Sequence, residues 1–280
     1  MTPRLHTIAG GGGTALHVRD WGPQDAPAFL LLHGWSQSHM CWQAQTGSDL
    51  ARDFRLVAMD LRGHGQSDKP TDPAAYADGT LWAEDIRATI DILGLARPVL
   101  VGWSYAGRVI GEYLATHGDA ALGGILTVGA IMASGAARED WMMGQDSASK
   151  ISGLTSDDQA RLIEGTRQFI RACTHRPLPA ETFERVLAFN MLCPAYARRG
   201  LAVASSDTRP AYGAITCPLT IVHGAEDAVV SPQCARDLAD RVPHARLEVL
   251  PRIGHAPFLE APDRFNHLLR ELAAEVNASA

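Results

Sequence analysis

Ser104 lies in the stretch Val99-Leu-Val-Gly-Trp-Ser-Tyr-Ala-Gly-Arg-Val-Ile110, with Gly102 and Ala106 two positions away on either side. Small residues at that spacing permit a turn so tight that the serine stands strained at its apex, hydroxyl outward, where a strand meets a helix. An elbow of this kind presents a nucleophile. Val99, Leu100 and Val101 suit a strand covered on both faces, and Val109, Ile110, Tyr113 and Leu114 recur at helical spacing. Gly-x-Ser-x-Ala also occurs in ordinary strand-to-helix loops, so the motif alone leaves both readings open.

A serine hydroxyl is a weak nucleophile at neutral pH, and a base must take its proton as it attacks. Two later segments offer the partners. His223-Gly-Ala-Glu-Asp-Ala-Val-Val230 places Glu226 and Asp227 just past a strand's carboxyl end. Asp227 is the expected acid because its shorter side chain is easier to fix against an imidazole, with Glu226 as the substitute. Leu250-Pro-Arg-Ile-Gly-His255 sets His255 behind a glycine in a loop before the final helix, where it would be the general base. Asp227 would then hold the imidazole tautomer and stabilise the imidazolium. Most of the eleven histidines read as structural or exposed: His33 and His64 fall in glycine-rich turns, and His6, His17, His117 and His267 in strand or helix patterns. Charge developing on a substrate oxygen needs two N–H donors, expected from the backbone of Tyr105 and of Trp35 in Leu32-His-Gly-Trp35. The Trp35 indole would form an apolar wall or cap the core.

The elements that position these residues follow from pattern. Strands are expected at roughly 4–9, 14–20, 28–33, 55–60, 98–103, 123–130, 217–223 and 246–250, the first two joined by the Gly10–Gly13 run as a hairpin. Helical faces recur at Trp82, Ile86, Ile90, Leu93 and again at Phe265, Leu268, Leu269, Leu272. The alternation predicts an α/β fold: a mostly parallel twisted sheet of about eight strands, helices on both faces, and ligands bound at the strands' carboxyl ends. Residues 133–212 show helical patterns such as Phe183, Val186, Leu187, Met191 and no convincing strand. They are expected to be a helical cap inserted between core segments 1–132 and 213–280.

Composition bounds the function. The chain has 280 residues, 46% of them hydrophobic, with a net charge of −6 and no run of five basic residues. That gives one large core and no footprint for nucleic acid. Without a signal-peptide core or an apolar run long enough for a bilayer, the expectation is a cytoplasmic protein with no membrane partner, a monomer or homodimer. Five widely spaced cysteines, an odd number without CxxC pairs, indicate neither disulfide framework nor zinc site. No cofactor or metal is expected.

Taken together, His33-Gly-Trp, Asp60-Leu-Arg-Gly-His-Gly-Gln-Ser-Asp68, Gly102-Trp-Ser-Tyr-Ala106, His223-Gly-Ala-Glu-Asp227 and Gly254-His255 resemble the α/β-hydrolase superfamily over nearly the whole chain. Within it the sequence is similar to small bacterial carboxylesterases and the related cofactor-free perhydrolases, the non-haem chloroperoxidases. The resemblance implies the fold, the cap and the Ser104–Asp227–His255 triad. Two departures stand out: Ala106 replaces the elbow's more usual second glycine, and Ser36 stands where perhydrolases carry proline, which favours plain hydrolysis. Relatives that attack with aspartate form an ester that water opens. A serine cannot work on alkyl halides or epoxides that way, so acyl chemistry is implied.

For the substrate pocket, Trp35, Ile131, Met132, Trp141, Met142 and Val229 are the candidate contacts, with Met143, Phe169 and Phe189 nearby in the cap. Thioethers and aromatics suit an adaptable apolar pocket, or simply a seal between cap and sheet. Ten Lys/Arg against nine Asp/Glu in 133–212 favour a small, largely uncharged ester as the substrate. Arg108 and the pair Arg198-Arg199 are possible carboxylate contacts. Lactone or β-diketone C–C hydrolysis by the same residues, a perhydrolase, and a non-catalytic ligand receptor stay open as alternatives.

Overall fold

The structure, a computed structural model, describes residues 1–278. Eight strands form one sheet in the order β1-β2-β4-β3-β5-β6-β9-β10. They are β1 (Arg4–Ala9), β2 (Ala15–Trp21), β3 (Ala28–Leu32), β4 (Arg55–Met59), β5 (Val99–Trp103), β6 (Gly124–Val128), β9 (Leu219–Gly224) and β10 (Arg246–Leu250). β1 pairs antiparallel with β2, and β2 antiparallel with β4. Every other pairing is parallel. The hairpin expected at the glycine run is present: Gly10 N donates to Thr14 O at 2.8 Å, and Gly12 and Gly13 take positive φ. That conformation is open to glycine without steric cost.

Strands β3, β4, β5, β6 and β9 are buried along their whole length, as strands covered on both faces must be. Alternation divides their side chains between two cores. Leu30, Leu32, Val57, Met59 and Leu100 pack on one side with Trp82, Ile86 and Val109. Phe29, Leu31, Leu56, Val99 and Val101 pack on the other with Phe265, Leu268 and Leu269. The helices involved are α1 (Gly79–Leu93), α2 (Ala106–His117) and, at the chain's end, the Pro262–Ala278 helix. α1 starts where Asp78 accepts from Thr80 N at 2.9 Å and stops at Gly94, φ +59°, the N-cap and left-handed stop that helices favour.

Residues 133–212 contribute α3 (Gln159–Ala172), α4 (Ala180–Asn190) and α5 (Ala195–Val203). Contrary to the expectation of no strand there, β7 (Ala133–Ser134) pairs antiparallel with β8 (Ser206–Asp207). Two residues are too few to show a period of two, so no pattern announced them. Among the described residues no helix is long and apolar enough to cross a membrane.

Candidate active site

β5 delivers Ser104. Its φ is +55°, and the turn is held from both sides. Ser104 N donates to Val128 O at 2.8 Å, while Ser104 O accepts from Gly107 N at 2.9 Å and Ile131 N at 3.2 Å. Space enforces the small neighbours: a Cβ on Gly102 would lie 2.5 Å from Ile110 Cδ1, and one on Gly34 would lie 3.1 Å from Ser104 Cβ.

Asp227 follows β9. Its Oδ1 accepts from Val229 N at 2.8 Å and Val230 N at 2.9 Å. Its Oδ2 lies 2.7 Å from His255 Nδ1 and 3.0 Å from His223 Nε2. Burial opposes ionisation of this carboxyl, but the His255 ring and hydrogen bonds from both histidines outweigh it and hold Asp227 well below the usual carboxylate range. The second histidine, His223, was not anticipated. It is the second-to-last residue of β9, four residues before the acid, and its Nε2 also meets Val230 O at 3.1 Å.

His255 follows β10 and is fully buried. Trp103, the neighbour of Ser104, donates from Nε1 to the His255 carbonyl at 2.8 Å. Gly129 leaves room for the ring: a Cβ there would be 3.0 Å from His255 Nδ1. The end of β6 is thus where the three segments meet, because Val128 holds Ser104 and Gly129 touches His255. With Nδ1 donating to Asp227, the lone pair sits on Nε2, which is buried and carries no hydrogen bond in this structure. Catalytic hydrogen bonds are often made only once substrate binds.

The loop after β3 carries Trp35 and is fixed by two neutral histidines. His33 Nδ1 donates to Gly34 O at 2.8 Å and its Nε2 accepts from Leu61 N at 3.0 Å. His64 Nε2 accepts from Ser36 N at 3.0 Å, its Nδ1 donating to Arg62 O at 2.9 Å. Burial pushes His33 down to about 4 and His64 well below its ordinary value, His33 adding to the latter effect. The N–H groups of Trp35 and Tyr105 meet no acceptor among the described residues, so both are free for a ligand.

A cavity of about 300 Å³ opens over Ser104. Of the expected contacts, Trp35, Ile131 and Val229 line it, as does the expected oxyanion donor Tyr105, and Met132, Trp141 and Met142 do not. Met132 packs into the sheet core beside α2. Met142 is buried against the other core, its carbonyl taking Ser231 N at 2.9 Å. Trp141 bonds outward to Glu139 at 2.9 Å. Their places are taken by Met143, Leu154 and Phe169. A second cavity, about 240 Å³, lies beyond Trp103 and Ala256 and does not reach Ser104. Arg108 does not face the cavity either: it is buried between the Tyr105 and Trp82 rings and bonds the Tyr105 hydroxyl and Glu112.

His17, His39 and Asp60 bring possible metal-ligating atoms within 4.8 Å of one another. The Asp60 oxygens are already engaged, by His39 N at 2.6 Å, His39 Nδ1 at 2.8 Å and Gln66 N at 2.8 Å. The group is therefore a hydrogen-bonded brace. All five cysteines are buried and free.

The model of the α/β-hydrolase fold matches residues 27–262. The chain belongs to the α/β-hydrolase family. Among its relatives, the bifunctional esterase/perhydrolase DCH of Acinetobacter calcoaceticus is 29% identical, covering 89% of this chain and 92% of the relative. The pimeloyl-[acyl-carrier protein] methyl ester esterase of Nitrosomonas europaea is 28% identical over 90% and 96% of the two chains. Among solved structures, the esterase RhEst1 from Rhodococcus sp. ECU1013 superposes with a TM-score of 0.91 at 31% identity, covering 99% of this chain and all of the other. As an α/β hydrolase with esterase relatives, the chain carries its candidate residues on the loops that follow β3, β5, β9 and β10, at the ligand-binding end of such a sheet.

Proposed function

We infer that the protein is a serine carboxylesterase that hydrolyses small, largely uncharged esters through an acyl-enzyme. The observation that carries this reading is the pairing of His255 Nδ1 with the buried Asp227 carboxylate at 2.7 Å, which leaves the lone pair of Nε2 unengaged while Ser104 lines the cavity. Ser104 Oγ attacks the ester carbonyl and passes its proton to His255 Nε2. The negative oxygen is received by the N–H groups of Trp35 and Tyr105. Collapse expels the alcohol, which takes the proton back from His255, and water then repeats the sequence on the acyl-enzyme. Throughout, Asp227 keeps the imidazole in the tautomer that has its lone pair on Nε2. The cavity is lined by Trp35, Ile131, Met143, Phe169 and Val229, and those side chains suit an apolar acyl or alcohol group.

The test is hydrolysis of short p-nitrophenyl esters together with labelling by a fluorophosphonate. Wild-type protein turns over the esters and takes the label at Ser104, and Ser104→Ala loses both, with kcat down by roughly 10³-fold or more. Undiminished hydrolysis in Ser104→Ala overturns the assignment. Labelling without hydrolysis of any simple ester directs the same residues to lactones or β-diketones.

A further inference from the structure

Buried charges are ordinarily paired. Arg198 is not. It lies on α5, wholly buried, and no carboxylate approaches it within 4 Å among the described residues. Its guanidinium is instead gathered by neutral acceptors of the 133–212 segment: Cys193 O at 3.0 Å, Leu154 O at 3.3 Å, Thr166 Oγ1 at 2.9 Å and Asn190 O at 2.7 Å. The cation also lies over the Trp35 ring, 5.6 Å from its centroid. Such an arrangement gives up the energy of a counter-ion, and a structural strut would not need to. An apolar side chain of similar volume would commonly serve stability as well or better.

We propose that Arg198 is a positioning residue for the oxyanion side of the site, an unpaired cation built into the cap that fixes Trp35 and the loop bearing its N–H; the proposal rests on the esterase reading. Two routes lead from Arg198 to that loop. The first is the stacking on the Trp35 indole. The second runs through Asn190, whose carbonyl Arg198 holds and whose side chain bonds Ser36 Oγ at 2.8 Å and Gln37 Nε2 at 3.3 Å. Ser36 needs holding, because its φ is +66°, a conformation that a side-chain-bearing residue adopts only when its surroundings impose it. The charge also reaches His64, where it disfavours protonation. His64 must stay neutral for its Nε2 to accept from Ser36 N. Both routes end on the loop whose N–H faces the developing oxyanion, so a shift of that loop is felt by the transition state more than by a neutral ester.

The experiment compares wild type, Arg198→Met, Arg198→Lys and Ser36→Ala on p-nitrophenyl acetate. It also measures inhibition by an alkyl boronic acid, which forms a tetrahedral anion on the serine. Arg198→Met is expected to lower kcat by about tenfold or more, with KM changed less than about threefold and boronate affinity falling in parallel with kcat. Arg198→Lys, which keeps the charge but not the fork, recovers part of both. Ser36→Ala removes only the hydroxyl that bonds Asn190 Oδ1 and lowers kcat severalfold with KM unchanged, and it carries the test if Arg198→Met does not fold. Variants with wild-type kcat and boronate affinity overturn the proposal, as does a lysine variant no better than methionine. A wild-type protein that hydrolyses no ester overturns instead the esterase reading beneath it.

Discussion

The strand ends and the helical 133–212 segment, called the cap below, border one cavity but are held there by different means. At the strand ends the backbone positions the chemistry. Ser104 is fixed through its own N–H and carbonyl, Asp227 through the N–H groups of Val229 and Val230, and glycines at 34, 102, 129 and 224 leave room where chains approach closely. In the cap, side chains do the fastening: Arg198 collects three helices, and Asn190 reaches across to Ser36 and Gln37. Backbone positioning gives little freedom to a substitution. Side-chain positioning can be rebuilt, which suits the cap to adjusting what the cavity accepts while the chemistry beneath stays constant.

The sharpest way to break this contrast is at Asp227. Asp227→Asn keeps the shape but presents an amide to two histidines at once, so the His255 tautomer is lost. Ester turnover should fall by about 10⁴-fold, with the fluorophosphonate reaction slowed in step. A loss of less than tenfold would mean that His255 is oriented from elsewhere. Next in size is Gly224→Ala. The new Cβ would stand 2.0 Å from Gly254 O and 2.3 Å from Ile253 O, backbone atoms of the segment leading to His255. Overpacking of this kind costs about 1–3 kcal/mol, and both urea stability and kcat should drop. Wild-type activity in that variant would show that the His255 loop is more yielding than the contrast requires.

How much of this could be read from residues alone divides along the same line. The positions of Ser104, Asp227 and His255 were legible because their loops are written locally, as glycines and short motifs at the ends of apolar strands. Helical periodicity at Phe183, Val186, Leu187 and Met191 pointed to α4, but a period of 3.6 does not say which face meets a cavity and which meets the sheet. Trp141, Met142 and Met143 lie in one tight turn, and only the third faces the cavity. Arg198 and Arg199 look alike in sequence, but neighbours on a helix point about 100° apart. One is buried over Trp35, and the other pairs with Asp157 at 3.0 Å in solvent. The His223 contact to Asp227 has no signal in sequence, because nothing in His223-Gly-Ala-Glu-Asp227 shows that the loop folds the carboxylate back onto the strand's own histidine.

Acid should find the strand-end loops before the cap. His33 and His64 are buried and neutral, with His33 lowered to about 4 by burial. In the unfolded chain such rings bind a proton below about 6.5. Between those values the unfolded state holds more protons, so the stability they contribute is intact above 6.5 and is lost as pH falls toward 4. The loss is up to about 1.4 kcal/mol per pH unit for each ring. Urea melts at pH 7 and pH 5 measure the slope, which His64→Gln should flatten. An unchanged slope in that variant would place the acid-sensitive groups elsewhere.

The smallest effect is expected where the two cap residues differ least in sequence. Met143 lines the cavity, and Met143→Ala enlarges it, so the preference among p-nitrophenyl acetate, butyrate and hexanoate should move toward the longer acyl groups by severalfold, mostly in KM. Trp141 is two positions away, partly buried at the core's edge, with its indole N–H on Glu139. Trp141→Ala should therefore leave all three esters within about twofold of wild type. If Trp141→Ala changed acyl preference as much as Met143→Ala, the cap would have to turn its Glu139–Met143 segment inward on binding, and the cavity's lining would be set by motion rather than by the resting fold.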